Sequence, residues 1–386
     1  MRFLDKLLDA VKVEWKPLEE IVSTITAPVK LNKNTYGQIG KIPVIDQGIN
    51  FIAGYTDENF AKIKAGEYVI FGDHSEHIKY VDFTFIQGAD GLKILKSNID
   101  STKYIYYALV NFYIKEYTYK RHWSSAKETL IPIPCPENPK KSLEIQQKIV
   151  AILDTFTELT AELTAELTAR KQQYSYYRER LFRFDENEVQ HLPMGDENVG
   201  KFIRGSGLQK KDFTETGIGC IHYGQIYTYY GTSADKTKSF VSEEFAKKAR
   251  MAEHGNLVIA TTSENDEDVC KAVVWLGKDK IAVSSDACFY AHQLNPKYVA
   301  YYFQTEQFQK QKRPFITGTK VRRVNADDLA KIKIPVPALD EQKRIVSILD
   351  KFDTLTTSIN EGLPKEIELR QKQYEYYRNL LLTFPK

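Results

Sequence analysis

The sequence predicts an α+β molecule: two mixed α/β domains separated by two long helices that pair as an antiparallel coiled coil, pseudo-twofold and near-circular. Three observations carry that reading. The segment Lys148-Ile-Val-Ala-Ile-Leu-Asp-Thr-Phe156 returns as Arg344-Ile-Val-Ser-Ile-Leu-Asp-Lys-Phe352, and Arg170-Lys-Gln-Gln-Tyr-Ser-Tyr-Tyr-Arg178 returns as Arg370-Gln-Lys-Gln-Tyr-Glu-Tyr-Tyr-Arg378. A repeat this long means two similar halves and a pseudo-twofold organisation. Each copy also carries apolar residues alternately three and four apart, at Ile149, Ile152, Phe156, Leu159 and Leu163, and at Ile345, Ile348, Phe352, Leu355 and Ile359. That spacing is the seam of a coiled coil. Between the copies lie short β-rich runs such as Tyr68-Val-Ile-Phe71, Phe83-Thr-Phe-Ile86, Leu257-Val-Ile-Ala260 and Ile281-Ala-Val283, divided by glycine and polar turns.

In chain order the elements divide as residues 1–140, a first domain; 141–185, a central helical spacer; 186–338, a second domain; and 339–386, a second helical spacer. The chain of 386 residues is long enough for this division. Lys6 to Pro17 resembles Arg180 to Pro193, so residues 1–14 are expected near the C-terminal helix, in a near-circular arrangement. The domains align weakly. Ala65-Gly-Glu-Tyr-Val-Ile70 matches His254-Gly-Asn-Leu-Val-Ile259, Ile42-Pro-Val-Ile45 sits where Gly219-Cys-Ile-His222 sits, and both close on an Ile-Pro-x-Pro segment, Ile131 to Pro134 and Ile334 to Pro337. Each helix of about 40 residues would reach about 60 Å. Gly362-Leu363-Pro364 predicts a kink or short break in the second. The stretch from Phe352 to Tyr374 is four residues longer than that from Phe156 to Tyr174, although the shorter one holds a four-residue tandem, Thr160-Ala-Glu-Leu163 and Thr164-Ala-Glu-Leu167. Such a difference is expected as a stutter that the coiled coil absorbs.

Composition narrows the function classes. The chain is 42% hydrophobic and 27% charged, as expected of a globular protein. No apolar run approaches the length of a membrane span, and acidic residues interrupt the N-terminal apolar stretch, so neither a span nor a signal peptide is expected. The four cysteines show no paired spacing and read as free thiols of a reducing cytoplasm. Net charge is only +3, so any polyanion-binding surface must be local. The sequence lacks a phosphate-binding loop and zinc-ligand spacing. Asn295-Pro-Lys-Tyr298 lacks the second proline of an adenine methyltransferase motif and reads as a helix start. His74-Ser-Glu-His77 comes nearest to a catalytic or metal pair and reads better as a polar loop.

This architecture, with Glu341-Gln-Lys-Arg-Ile-Val-Ser-Ile-Leu-Asp350 and Arg370-Gln-Lys-Gln-Tyr-Glu-Tyr-Tyr-Arg378, resembles the specificity subunits of type I restriction–modification systems along the whole chain. The Thr-Ala-Glu-Leu tandem looks like the subgroup whose spacer repeats vary. The resemblance implies a non-catalytic DNA-recognition subunit. Each domain would read one half of a bipartite, asymmetric double-stranded site in the major groove, and the helices would set the spacing. Two methyltransferase subunits would pack on the helical regions, and restriction subunits would join that core. S-adenosylmethionine, ATP and Mg would be bound by those partners, supporting N6-adenine methylation or ATP-dependent restriction, with no cofactor or metal on this chain. A coiled-coil adaptor that binds only proteins is the alternative.

Groove reading needs Arg and Lys for guanine, Asn and Gln for adenine, Ser and Thr for either, with basic residues for phosphates. In the first domain these criteria select His74, Ser75, His77 and Lys79, and then Lys120, Arg121, His122, Trp123, Ser124 and Lys127. In the second they select Arg204, Lys210, Lys211, Tyr223, Gln225, Thr261, Thr262 and Ser263, and the strongest basic cluster, Lys312, Arg313, Thr319, Lys320, Arg322 and Arg323. The tyrosine-rich helix ends, Tyr174, Tyr177 and Arg178 with Tyr374, Tyr377 and Arg378, are candidates for methyltransferase-subunit contact. Some of these tyrosines must instead close the helix pair.

Overall fold

The structure, a computed structural model, describes residues 11–358 and 360–384. The expectations for residues 1–10 and for Ile359 fall outside them. The chain divides into two compact units, one of residues 1–164 with 366–386 and one of residues 165–365. The C-terminal segment therefore returns to the unit in which the chain began. Among the described residues no helix is long and apolar enough to cross a membrane.

The first unit holds a four-stranded sheet ordered Val22–Ile25, Leu92–Ser97, Tyr68–Gly72, Ile78–Val81, all antiparallel neighbours. The second unit repeats that order with Gly200–Arg204, Ala287–His292, Leu257–Ala260 and Ala272–Trp275, and adds Ser233–Ala234 at the edge. Central strands Tyr68–Gly72 and Leu257–Ala260 are buried at every position, which explains their continuous apolar runs. A second sheet in each unit contains a matching parallel pair, Ile42–Ile45 beside Ile86–Gly88 and Ile218–Ile221 beside Ile281–Val283, and in the first unit Lys30–Leu31 also runs parallel to Ile86–Gly88. The two Ile-Pro-x-Pro segments are matched edge strands. Leu130–Pro134 pairs with Val13–Pro17, and Lys333–Pro335 pairs with His191–Pro193. Proline lacks the N–H a central strand needs, so a two-stranded ribbon is where such segments fit.

Five helices build the frame: α1 (Thr102–Phe112), α2 (Pro139–Leu181), α3 (Pro296–Phe303), α4 (Leu339–Thr357) and α5 (Leu363–Leu382). Asn295 caps α3 by accepting from the amides of Lys297 and Tyr298, with Pro296 in the first turn; the helix start read from Asn-Pro is correct. In the first unit Ile145, Ile149 and Leu153 of α2 share a core with Leu381 and Leu382, and Val11 and Val13 pack against it. In the second unit Ile345 and Leu349 of α4 pack with Tyr174 and Phe182.

The sequence repeat becomes a repeated set of hydrogen bonds. Asp154 accepts from Lys103 Nζ at 2.8 Å and from Tyr107 OH at 2.6 Å. Asp350 accepts from Lys297 Nζ at 2.9 Å and from Tyr301 OH at 2.6 Å. Burial first, then the bond to the carboxylate, push both phenols upward, so each remains a protonated donor. Tyr104 OH donates to Pro132 O and Tyr298 OH to Pro335 O. Gln146 accepts from the Ser101 amide and Gln342 from the Asn295 amide. The aspartate of Ile-Leu-Asp thus latches the helix of each domain to its spacer helix.

The expected stutter is not what the structure shows. The shorter stretch is continuous helix through the tandem, whereas α4 stops at Thr357 and α5 begins at Leu363. The extra length is spent on a break. Gly362 has φ +82°, and a Cβ there would lie 2.5 Å from Thr354 O, so only glycine fits. Pro364 then falls in the first turn of α5, where its missing N–H leaves no bond unmade.

Candidate nucleic-acid interface

In the first unit, Gly72–Lys79 and Tyr119–Lys127 come together as one loop cluster. The His74 ring stacks on Tyr119 at 5.9 Å, and its Nδ1 lies 3.2 Å from Lys120 O. Gln47 ties a third loop in: its side chain accepts from the His74 amide and its carbonyl accepts from Ser75 Oγ and faces His77 Nδ1. The face left to solvent carries Tyr119, 96% exposed, with Lys120, Arg121 and Ser124.

Several candidates are used up inside the protein. Lys79 is buried and donates to Asp46 O and Asn50 O. His122 is fully buried, with Nε2 on Thr118 O. Trp123 is half-buried against Phe71, with Lys93 over its ring. Lys127 pairs with Glu19 at 2.8 Å. Lys79, His122 and Trp123 hold the loops rather than present a donor to a groove; Lys127 is half-exposed in a surface ion pair, as Lys120 is with Glu116 at 2.5 Å. Sequence reasoning missed the 46–50 turn, and it took in Tyr119 only as the start of the 119–127 run without singling it out. Both were within reach: Tyr119 opens the basic run, and residues 46–50 follow the strand that aligns with the one preceding Tyr223 and Gln225.

In the second unit Thr262–Ser263 pairs antiparallel with Arg322–Arg323, which joins the Thr261 loop to the basic hairpin. Gly318, at φ +89°, makes the turn; a Cβ there would sit 2.1 Å from Val321 O. Thr319 and Lys320 are exposed at its tip and Arg323 at its base. Arg204, Thr261, Asp286, Arg323, Asn325 and Lys331 help line a cleft of about 630 Å³. Lys210, Lys211 and Arg313 are exposed, and Tyr223 is half-buried against His222.

Four candidates here are structural. Lys312 is 1% exposed and donates to the carbonyls of Asp266, Glu267 and Val269. Burial holds its pKa below the ordinary lysine value, and its ammonium donors point at protein. Gln225 closes a capping box with His222 and donates to Ser239 Oγ, so both ends of its amide are occupied. Thr262 is buried, its carbonyl taken by Tyr227 OH. Arg322 pairs with Asp266 at 2.6 Å and steadies the hairpin that Arg323 leaves free to face solvent.

Packing also redistributes the tyrosine motif. Tyr174 and Tyr177 stack on Phe352, and Tyr377 stacks on Phe156, while Tyr374 lies against Tyr107. Arg178 and Arg378 cover Tyr174 and Tyr374 and bond to Gln304 and Asn111. These six close the frame inside the units. The outward members are Tyr176 and Tyr376, 58% and 63% exposed.

Residues 199–369 match the type I restriction modification DNA specificity domain family. The chain is similar to the specificity subunit of a type I restriction enzyme of Escherichia coli, at 39% identity over 100% of this chain and 98% of that one. A second such subunit of Escherichia coli is 29% identical over 94% of this chain and 92% of that one. Among solved structures, the type I restriction–modification S subunit of M. genitalium matches with a TM-score of 0.58 at 16% identity, covering 98% of this chain and 97% of that one. A chain from a study of type I system assembly and conformational transition matches at 0.59 and 13% identity, covering 97% and 98%. Their fold is the fold of this chain. With full-length identity of this degree to a specificity subunit, the chain belongs to the type I restriction enzyme specificity subunit family.

Proposed function

We propose that this chain is the non-catalytic, cytoplasmic DNA-reading subunit of a type I restriction–modification complex, each domain reading one half of a bipartite site. One observation carries the reading: a single scaffold occurs twice, and its loops diverge at the same edge, into the 72–79 and 119–124 cluster in one copy and the 261–263 and 317–323 cluster in the other. Divergent loops on a common frame are what two different targets require. His74, Ser124, Lys120 and Arg121 serve the first half-site; Arg204, Lys210, Lys211, Arg313, Thr319, Lys320 and Arg323 serve the second. Tyr176 and Tyr376, matched positions on the helices, offer aromatic contact to two methyltransferase subunits, through which restriction subunits join. Methylation of adenine at N6 and ATP-dependent cleavage belong to those partners.

Helix α2 acts as the ruler between half-sites. From Thr157 to Gln173 it has no buried residue, so a unit inserted at the Thr160–Leu167 tandem leaves the Asp154 latch and the Phe156 stack in place. One added Thr-Ala-Glu-Leu unit lengthens the helix by about 6 Å and turns its end about 40° past a full rotation. One base pair turns roughly 34–36°. Mapping of methylated adenines in a host carrying the complex should therefore show the insertion widening the gap by about one base pair, both half-sites unchanged. Altered half-sites would sink the ruler.

A further inference from the structure

Two acidic side chains of the first domain's 73–76 turn face inward, away from the exposed face of the loop cluster. Glu76 is 2% exposed and sits at φ +56°, unusual for a residue with a side chain. Its Oε1 accepts from Tyr113 OH at 2.7 Å and the Glu116 amide at 2.8 Å, and its Oε2 from the Tyr117 amide at 2.8 Å. His122 Nδ1, fully buried, lies 3.4 Å from Oε1. Asp73 adds two bonds: its Oδ1 accepts from the Trp123 amide and its carbonyl from the His122 amide. Every one of these donors lies in the 113–123 segment, the same segment that turns Tyr119, Lys120 and Arg121 outward.

A buried carboxylate is tolerated only when its lone pairs are filled. The amides of residues 116 and 117 converge on one side chain only when that backbone takes one conformation, with Tyr117 itself at φ +54°. The second domain has a different solution, since its hairpin is held by paired backbone strands. We propose that Glu76 is a specificity-positioning residue of the first domain, its buried carboxylate fixing the 113–123 loop so that Tyr119, Lys120 and Arg121 meet DNA in one geometry. This rests on the DNA-reading function proposed above. Burial pushes the Glu76 carboxyl upward, but the Glu116 amide, Tyr113, the Tyr117 amide and His122 together hold it below its ordinary value, so it is charged at neutral pH.

The test uses the full chain assembled with its methyltransferase subunits. Binding is measured to duplexes carrying the mapped site and to duplexes with single-base changes in one half at a time. In Glu76→Gln, discrimination at the half read by the first domain should fall roughly tenfold to a hundredfold, the range for a lost charge-assisted hydrogen bond. Discrimination at the other half should not change. Tyr113→Phe keeps the ring against Phe71 and removes only the hydroxyl; it should weaken the same half by less, and it decides the matter if Glu76→Gln does not fold. Unchanged discrimination at both halves overturns the proposal, and so does an equal loss at both. A wild-type complex with no bipartite preference would instead refute the DNA-reading function itself.

Discussion

The two recognition domains agree where they meet the spacer helices and differ where they meet solvent. At the helices the same atoms recur: Lys103, Tyr107 and Asp154 in one copy, Lys297, Tyr301 and Asp350 in the other, with donor–acceptor distances that agree within a tenth of an ångström. At the loop edge the first domain locks its loops with buried carboxylates, Asp73 and Glu76, whereas the second locks its own with a backbone ladder between Thr262–Ser263 and Arg322–Arg323. Each domain also buries one lysine under loop carbonyls, Lys79 and Lys312, but at different places in the chain. The lesson is a division of labour. Contacts that must serve both copies are fixed, and each reading edge finds its own way to be rigid.

That comparison can be broken most severely at the core. Leu153→Ala and Leu349→Ala each empty a fully buried site on a spacer helix. Denaturant unfolding should show a loss of about 2–5 kcal/mol for each, and a gap of more than about 2 kcal/mol between them would deny that the copies are packed alike. Next come the latches. Asp154→Ala and Asp350→Ala each strand a lysine and a buried tyrosine hydroxyl, with an expected loss of about 1.5–3 kcal/mol in the same assay. A loss confined to one copy would show the symmetry of bonds to be a symmetry of geometry only. The smallest effects belong to the exposed cations. Lys320→Ala and Arg323→Ala, in the reconstituted complex, should weaken binding to all sequences alike and flatten the salt slope by about one per lost contact. Arg322→Ala should also blur the second half-site, because Arg322 anchors the hairpin through Asp266. Identical behaviour of Arg322 and Arg323 would erase that distinction.

Much of the frame was legible because it is periodic. The three-and-four spacing of Ile149, Phe156, Ile345 and Phe352 marks a packing stripe in any context, and Asn295-Pro296 marks a helix start by local chemistry alone. The reading edges were legible only as neighbourhoods. A lysine in a polar loop looks the same whether its ammonium faces water or three carbonyls, so Lys312 and Lys320 were indistinguishable until the chain folded. The same holds for Tyr174 and Tyr176, two positions apart on a helix: one step of the turn separates a ring stacked on Phe352 from one facing solvent.

The duplication, the two spacer helices, the helix start at Asn295 and the interruption of the second spacer at Gly362 and Pro364 are written in the sequence, since repeats, periodicity and backbone restrictions are local properties of the chain. Only the tertiary structure decided that the repeated aspartates are latches, that the four-residue difference is a break rather than a stutter, and which polar side chains are spent holding loops in place. Those outcomes depend on partners far away in sequence, as Glu76 depends on Tyr113 and Lys312 on Val269, and a hydrogen bond of that kind exists only once folding has brought its two ends together.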